Sequence, residues 1–135
     1  MKIVLLDGYT VTSTDLSWDE IKKEGDFIYF DRTGKDRNEI IKNIGKSDIV
    51  ITNKTPLDKE TIDACPSIKY ITILATGYNV VDIKSAREKG IPVSNIPSYG
   101  TDSVAQYAIA LLLELCHHIG HHDREVKNGR WENSI

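Results

Sequence analysis

Three strand-end stretches and one histidine cluster hold the residues whose types and spacing could do chemistry. In "ILATGYNVVD" (73–82) an apolar run stops on Thr76-Gly77. Without a side chain at 77, successive backbone N–H groups could point at a ligand and hold a carboxylate or phosphate; a turn needing positive φ explains the same glycine equally well. In "TNKTP" (52–56) Lys54 follows an apolar run directly. If that run neighbours the one ending at Ile73, its ammonium adds positive potential beside the Thr76-Gly77 turn; otherwise it is a solvated loop lysine. In "SYGTDSVAQ" (98–106) Ser103 and Gln106 form an S-x-x-Q capping box, which places a helix start at the serine with its free N–H groups facing the loop.

His117, His118, His121 and His122 are all the histidines of the chain. On one continuous helix they would occupy an arc of about 140°, with 117/121 and 118/122 as i, i+4 pairs of metal-binding spacing. No cysteine or paired carboxylate completes a ligand set, apart from Asp123, so no metal is expected. Nothing flanks them as an orienting partner for catalysis. Asp7, in "LLDGY", reads as a turn support rather than an acid or base.

The elements that must position these residues are legible as an alternation. "KIVLLD" (2–7), "DFIYF" (26–30), "DIVIT" (48–52), "KYITIL" (69–74) and "IPVSN" (91–95) have strand length and are β-branched or aromatic. Between them "STDLSWDEIKKEG" opens on capping residues and closes on Gly25, "KDRNEIIKNIG" closes on Gly45, "LDKETIDAC" stops before Pro66 and "DIKSAREKG" stops at Gly90. The expectation is an α/β, doubly wound parallel sheet with helices on both faces, because each parallel crossover needs a connecting helix. In such sheets ligands lie beyond the carboxyl ends of the strands, where the first three of these stretches fall. The last apolar run, Val104–Cys116, leaves almost no polar face and calls for cover from a second domain or another chain.

Composition narrows the function classes. With 135 residues, 40% of them hydrophobic, one sizeable core is expected. A net charge of -3 with scattered Lys and Arg gives no footprint for nucleic acid or an anionic membrane. The N-terminus has only four apolar residues before Asp7 and the Val104–Cys116 run falls short of a membrane span, so a cytoplasmic location is expected. Cys65 and Cys116, without C-x-x-C spacing, fit a reducing compartment.

The run from Ile73 to Leu115 resembles the N-terminal substrate-domain segment of the D-isomer-specific 2-hydroxyacid dehydrogenases, with "NKTPLDKETIDACPSIKYI" similar to the segment before it. The matching pieces are "TGYNVVD", the A-x-x-x-G-I-P-V-x-N run, and "SVAQYAIALLLEL". Asn79-Val80 and Gln106-Tyr107 depart from the residues usual there, and the likeness runs on to Trp131 in "REVKNGRW". The resemblance implies a flavodoxin-like domain of strand order 2-1-3-4-5 over residues 1–100, then an interdomain helix and the start of a connection to an NAD-binding Rossmann domain over 101–135. It implies substrate binding by Lys54, Ala75, Thr76, Gly77 and Tyr78, and cofactor contact by Thr76, Ser103 and Val104. It also implies NAD or NADP as cofactor, a small 2-hydroxy or 2-oxo acid as substrate, and a homodimer when complete.

The family's G-x-G-x-x-G fingerprint and its catalytic Arg, Glu and His lie downstream in that scheme, and no G-x-G-x-x-G occurs here. The resemblance therefore implies a part of the enzyme, glycerate/hydroxypyruvate branch, that does not turn over by itself. Other βα modules share this alternation. A phosphoacceptor receiver needs an acidic pair after the first strand and an Asp ending the third, which are absent. A flavodoxin-like FMN module is the runner-up, since "GYTVTSTD" has the hydroxyls of a phosphate loop, and a non-catalytic anion-binding module is a third reading.

Overall fold

The computed structural model describes residues 1–11 and 16–130. Five parallel strands, β1 (Lys2–Leu5), β2 (Asp26–Tyr29), β3 (Ile49–Thr52), β4 (Tyr70–Ile73) and β5 (Val93–Ser94), form one sheet in the order β2-β1-β3-β4-β5. This is the expected flavodoxin-like order. β3 and β4 are neighbours, with Thr52 opposite Ile73.

Strand residues alternate between two cores. Val4, Val50, Ile71 and Ile73 pack with Ile40 and Ile44 of α2 (Arg37–Ile44), Ile62 of α3 (Lys59–Ala64) and Ala86 of α4 (Ile83–Glu88). Ile3, Leu5 and Ile51 face the other way, towards Trp18 and Ile21 at α1 (Asp19–Glu24). Burial on both faces is why the strands read as unbroken apolar runs.

Three helices begin on an aspartate that accepts a backbone N–H: Asp36 from Glu39 at 3.0 Å, Asp58 from Thr61 at 2.9 Å and Asp82 from Ser85 at 3.0 Å. Each such cap is worth about 1 kcal/mol. Gly45 (φ 54) and Gly90 (φ 70) then turn the chain in left-handed geometry that other residues adopt at a cost. At α1 no side chain caps Trp18, although Ser17 Oγ accepts the N–H of Asp19. Ser13, Thr14 and Asp15, expected to help open this helix, lie outside the described residues.

Met1–Pro97 and Ser98–Ile135 are two compact units. The second contains α5 (Thr101–His117) and α6 (Ile119–Lys127). Two expectations fail in it. The capping box does not form: α5 starts at Thr101, two residues before Ser103, with Gly100 at the cap position and no side-chain cap. The reason is local, because Ser98 takes a left-handed turn (φ 62) and its carbonyl accepts from Thr101, so the helix is already running at 103. The four histidines do not share one helix either. His118 is left-handed (φ 50) and separates α5 from α6, so the 117/121 pair straddles a break. All of α5 is exposed, including Leu111, Leu113 and Leu115.

Candidate functional site

The turn after β4 is open and firmly held. Leu74 N–H still donates to Thr52 O at 2.9 Å, and beyond it Ala75 O accepts from Ile96 N at 3.0 Å. Thr76 Oγ1 donates to Ile96 O at 3.1 Å, while Asn95 Nδ2 donates to Thr76 O at 2.8 Å. On its far side the turn is tied to buried Leu57, whose N–H donates to Val80 O and whose carbonyl accepts from Asp82 N. These bonds consume carbonyls and a hydroxyl. Among the described residues nothing accepts the N–H groups of Thr76, Gly77 or Tyr78, all three of which are exposed.

Gly77 needs no glycine for its own fold. Its φ is outside the left-handed region, and an added Cβ would meet only Asn79 Oδ1 at 3.4 Å. The positive-φ explanation of this glycine is thereby removed.

Lys54 lies where the sheet order predicts, two residues past Thr52 at the end of β3, the strand beside β4. It is exposed, and among the described residues its ammonium has no carboxylate partner. Tyr78 is 57% exposed and also lines a cleft of about 580 Å³ with Ile83, Arg87, Val93 and Asn95. Ala75 is half-buried behind the turn. Ser103 and Val104 belong to the second unit, in the first turns of α5, and both are exposed.

Asp7 proves to be the most heavily bonded side chain near the strand ends. Its carboxylate, 1% exposed, accepts from the N–H groups of Asn53 (2.9 Å), Lys54 (2.5 Å) and Thr55 (2.7 Å) and from Thr55 Oγ1 (3.1 Å). The N–H groups of the turn after β3 are thus taken up from within, while those of residues 76–78 have no acceptor among the described residues. Asp7 agrees with the turn-support expectation. Neither its reach to residues 53–55 nor the role of Asn95 is visible from local spacing; the asparagine shows only as the last letter of a motif.

Charges at the rim are structural. The Arg37 guanidinium, with Thr61, holds Asp58 down to about 2, and the Ser85 N–H and hydroxyl keep Asp82 below the usual carboxylate range. Among the described residues no group of three or more His, Cys, Asp or Glu could hold a metal ion, and no helix is long and apolar enough to cross a membrane.

The sequence profile of the D-isomer specific 2-hydroxyacid dehydrogenase catalytic domain matches residues 4–128. The chain belongs to this family. A 2-hydroxyacid dehydrogenase relative, the hydroxypyruvate reductase of Blautia hydrogenotrophica, is 56% identical over 135 residues, which is 99% of this chain and 42% of that protein. A solved acyclic imino acid reductase in complex with NADPH and D-Arg has a TM-score of 0.79 at 32% identity, covering 96% of this chain and 41% of its own. The 2-hydroxyacid dehydrogenase of Ketogulonicigenium vulgare Y25 has a TM-score of 0.72 at 26% identity, covering 98% and 41%. The chain therefore spans about 42% of the Blautia relative's length. Membership in the 2-hydroxyacid dehydrogenases disfavours the FMN reading, and so does Gly8, where a Cβ would run into the ring of Tyr29.

Proposed function

We propose that this chain is the substrate-binding part of an NAD(P)-dependent D-2-hydroxyacid dehydrogenase that interconverts a small 2-oxo acid, such as hydroxypyruvate or glyoxylate, with its 2-hydroxy acid. The observation that carries the reading is the open turn: three exposed N–H groups without acceptors among the described residues, around a glycine that neither φ nor packing requires. A carboxylate is the natural occupant, since charge-assisted bonds to oriented amides are strong and fixed in direction. In this reading the amides of Thr76, Gly77 and Tyr78 receive the acid, Ala75 backs the turn, and Lys54 adds positive potential. The name and 56% identity of the Blautia hydroxypyruvate reductase support the substrate class.

The residues present fit only an edge of a nicotinamide cofactor. The sequence has no G-x-G-x-x-G to cradle a pyrophosphate, and cofactor contact by Thr76 in the first unit and by Ser103 and Val104 in the second rests on the family resemblance. When bound, the cofactor supplies or accepts the hydride at C2 of the acid. This chain's residues bind the carboxylate and orient the acid, which lowers the barrier by fixing position. The choice between NAD and NADP, a homodimer and a cytoplasmic location belong to the same proposal and rest on family resemblance.

The test is the reading frame downstream of Ile135 together with the activity of its complete product. A G-x-G-x-x-G opening a helix within about thirty residues, and oxidation of NADH or NADPH by hydroxypyruvate or glyoxylate that Gly77→Val abolishes, are the expected results. A product with neither feature removes the proposal.

A further inference from the structure

We propose that Asp7 is a positioning residue that acts through Lys54. This rests on the reading of Lys54 and the 76–78 turn as the acid site. β1 and β3 pair with Leu5 opposite Ile51, so two residues further on Asp7 falls opposite Asn53, at the point where the chain leaves β3. From there its carboxylate takes three consecutive N–H groups, those of Asn53, Lys54 and Thr55, and the Thr55 hydroxyl. Thr52 Oγ1, which donates to Thr55 O at 2.9 Å, closes the same turn from the other side.

A buried carboxylate is costly unless every lone pair is used, and no cation touches this one among the described residues. Its charge is balanced by three main-chain N–H dipoles and the Thr55 hydroxyl. The same turn also keeps Asn53 Oδ1 buried without a hydrogen-bond partner among the described residues. Buried polar atoms left in this way are uncommon and point to a turn held in place for a purpose other than stability. The backbone of Lys54 is clamped while its ammonium is bound to nothing. A lysine whose main chain is fixed projects its stem from one place, which confines the region its ammonium can reach and lowers the ordering cost of meeting a bound anion. The filled turn serves the open one: it excludes a competing anion from residues 53–55 and leaves the cation for the acid at 76–78.

The experiment is titration of the chain with oxalate, followed by the amide signals of Thr76, Gly77 and Tyr78, in six forms: unmodified, Asp7→Asn, Lys54→Met, the double variant of these two, Thr55→Val, and Thr55→Val combined with Lys54→Met. In Asp7→Asn an amide NH₂ faces one of the donors, so the clamp opens. Oxalate affinity is expected to fall about tenfold in Lys54→Met and similarly in Asp7→Asn, with the double variant no weaker than Lys54→Met to within about twofold, because residues acting as one unit are not additive. A merely structural Asp7 predicts that the two losses multiply, to about a hundredfold. That result, or unmodified affinity in Asp7→Asn, overturns the positioning role and leaves the acid site standing. Absence of any shift at 76–78 in the unmodified chain removes the acid site, and the positioning role with it. If Asp7→Asn does not fold, Thr55→Val decides: it keeps all three N–H donors and loses one hydroxyl, so a loss of about two- to threefold that vanishes on a Lys54→Met background supports the role, and no loss overturns it.

Discussion

Substituting Gly77 separates binding from folding. An added Cβ meets only Asn79 Oδ1, at the 3.4 Å of ordinary contact, and φ lies outside the left-handed region. Gly77→Ala therefore restricts the unfolded chain without straining the folded one, which stabilises by about 0.4–1 kcal/mol. For a chain of this size that raises the melting temperature by about 1–6 °C. Gly77→Val adds two methyl groups at the mouth of the turn. A carboxylate oxygen must come within about 2.9 Å of an amide nitrogen to bond, whereas a methyl group holds other atoms off at about 3.5–4.0 Å. Loss of even one charge-assisted bond costs about 1.5–3 kcal/mol, which is about 10- to 150-fold in oxalate affinity. Thermal melts and oxalate titrations of the two variants check this. Destabilisation of Gly77→Ala would show that the glycine serves the fold, and undiminished binding by Gly77→Val would refute the site.

Other expectations concern the scaffold. Ile71→Ala, at a fully buried position on β4, should cost about 2–5 kcal/mol in urea unfolding, while Leu113→Ala, 43% exposed on α5, should leave the urea midpoint of the first unit unchanged. The Asp58 carboxyl, held down to about 2 by Arg37 and Thr61, stabilises the folded chain above its unfolded value of 3.8, and this contribution is lost as pH falls through about 2. Because the pair is half-exposed the effect on stability is small, so the check is the NMR titration of Asp58, which Arg37→Met should move upward. His118→Gly relieves a left-handed residue at the α5–α6 junction and should slow amide exchange in α6 by the equivalent of about 1 kcal/mol.

Local chemistry makes much of this fold readable in the chain. Gly45, Pro66 and Gly90 announce three helix endings and the β-branched runs between them are the strands, while the capping role of Asp36, Asp58 and Asp82 comes from the structure. The exposed turn at Thr76-Gly77 follows from where β4 must end. The parts that stay hidden are those decided by distant residues or by one backbone angle. Asp7 reaches groups 46 to 48 residues away, and no spacing rule connects them. Gly8 is small because Tyr29 lies on it, which requires knowing that β1 and β2 pair. Ser98 does not mark a left-handed turn, and histidine, though enriched in that region, marks one too weakly at His118 to show either the true start of α5 or the break in the histidine array.

The bare leucines of α5 have a consequence for how long the chain lasts. Cellular quality control reads an extended greasy segment as unfinished folding, and proteases clear polypeptides that keep one on display. A chain that keeps Ile109 to Leu115 uncovered is expected to be cleared faster than one whose leucines are shielded, so its steady-state amount should rise with cover.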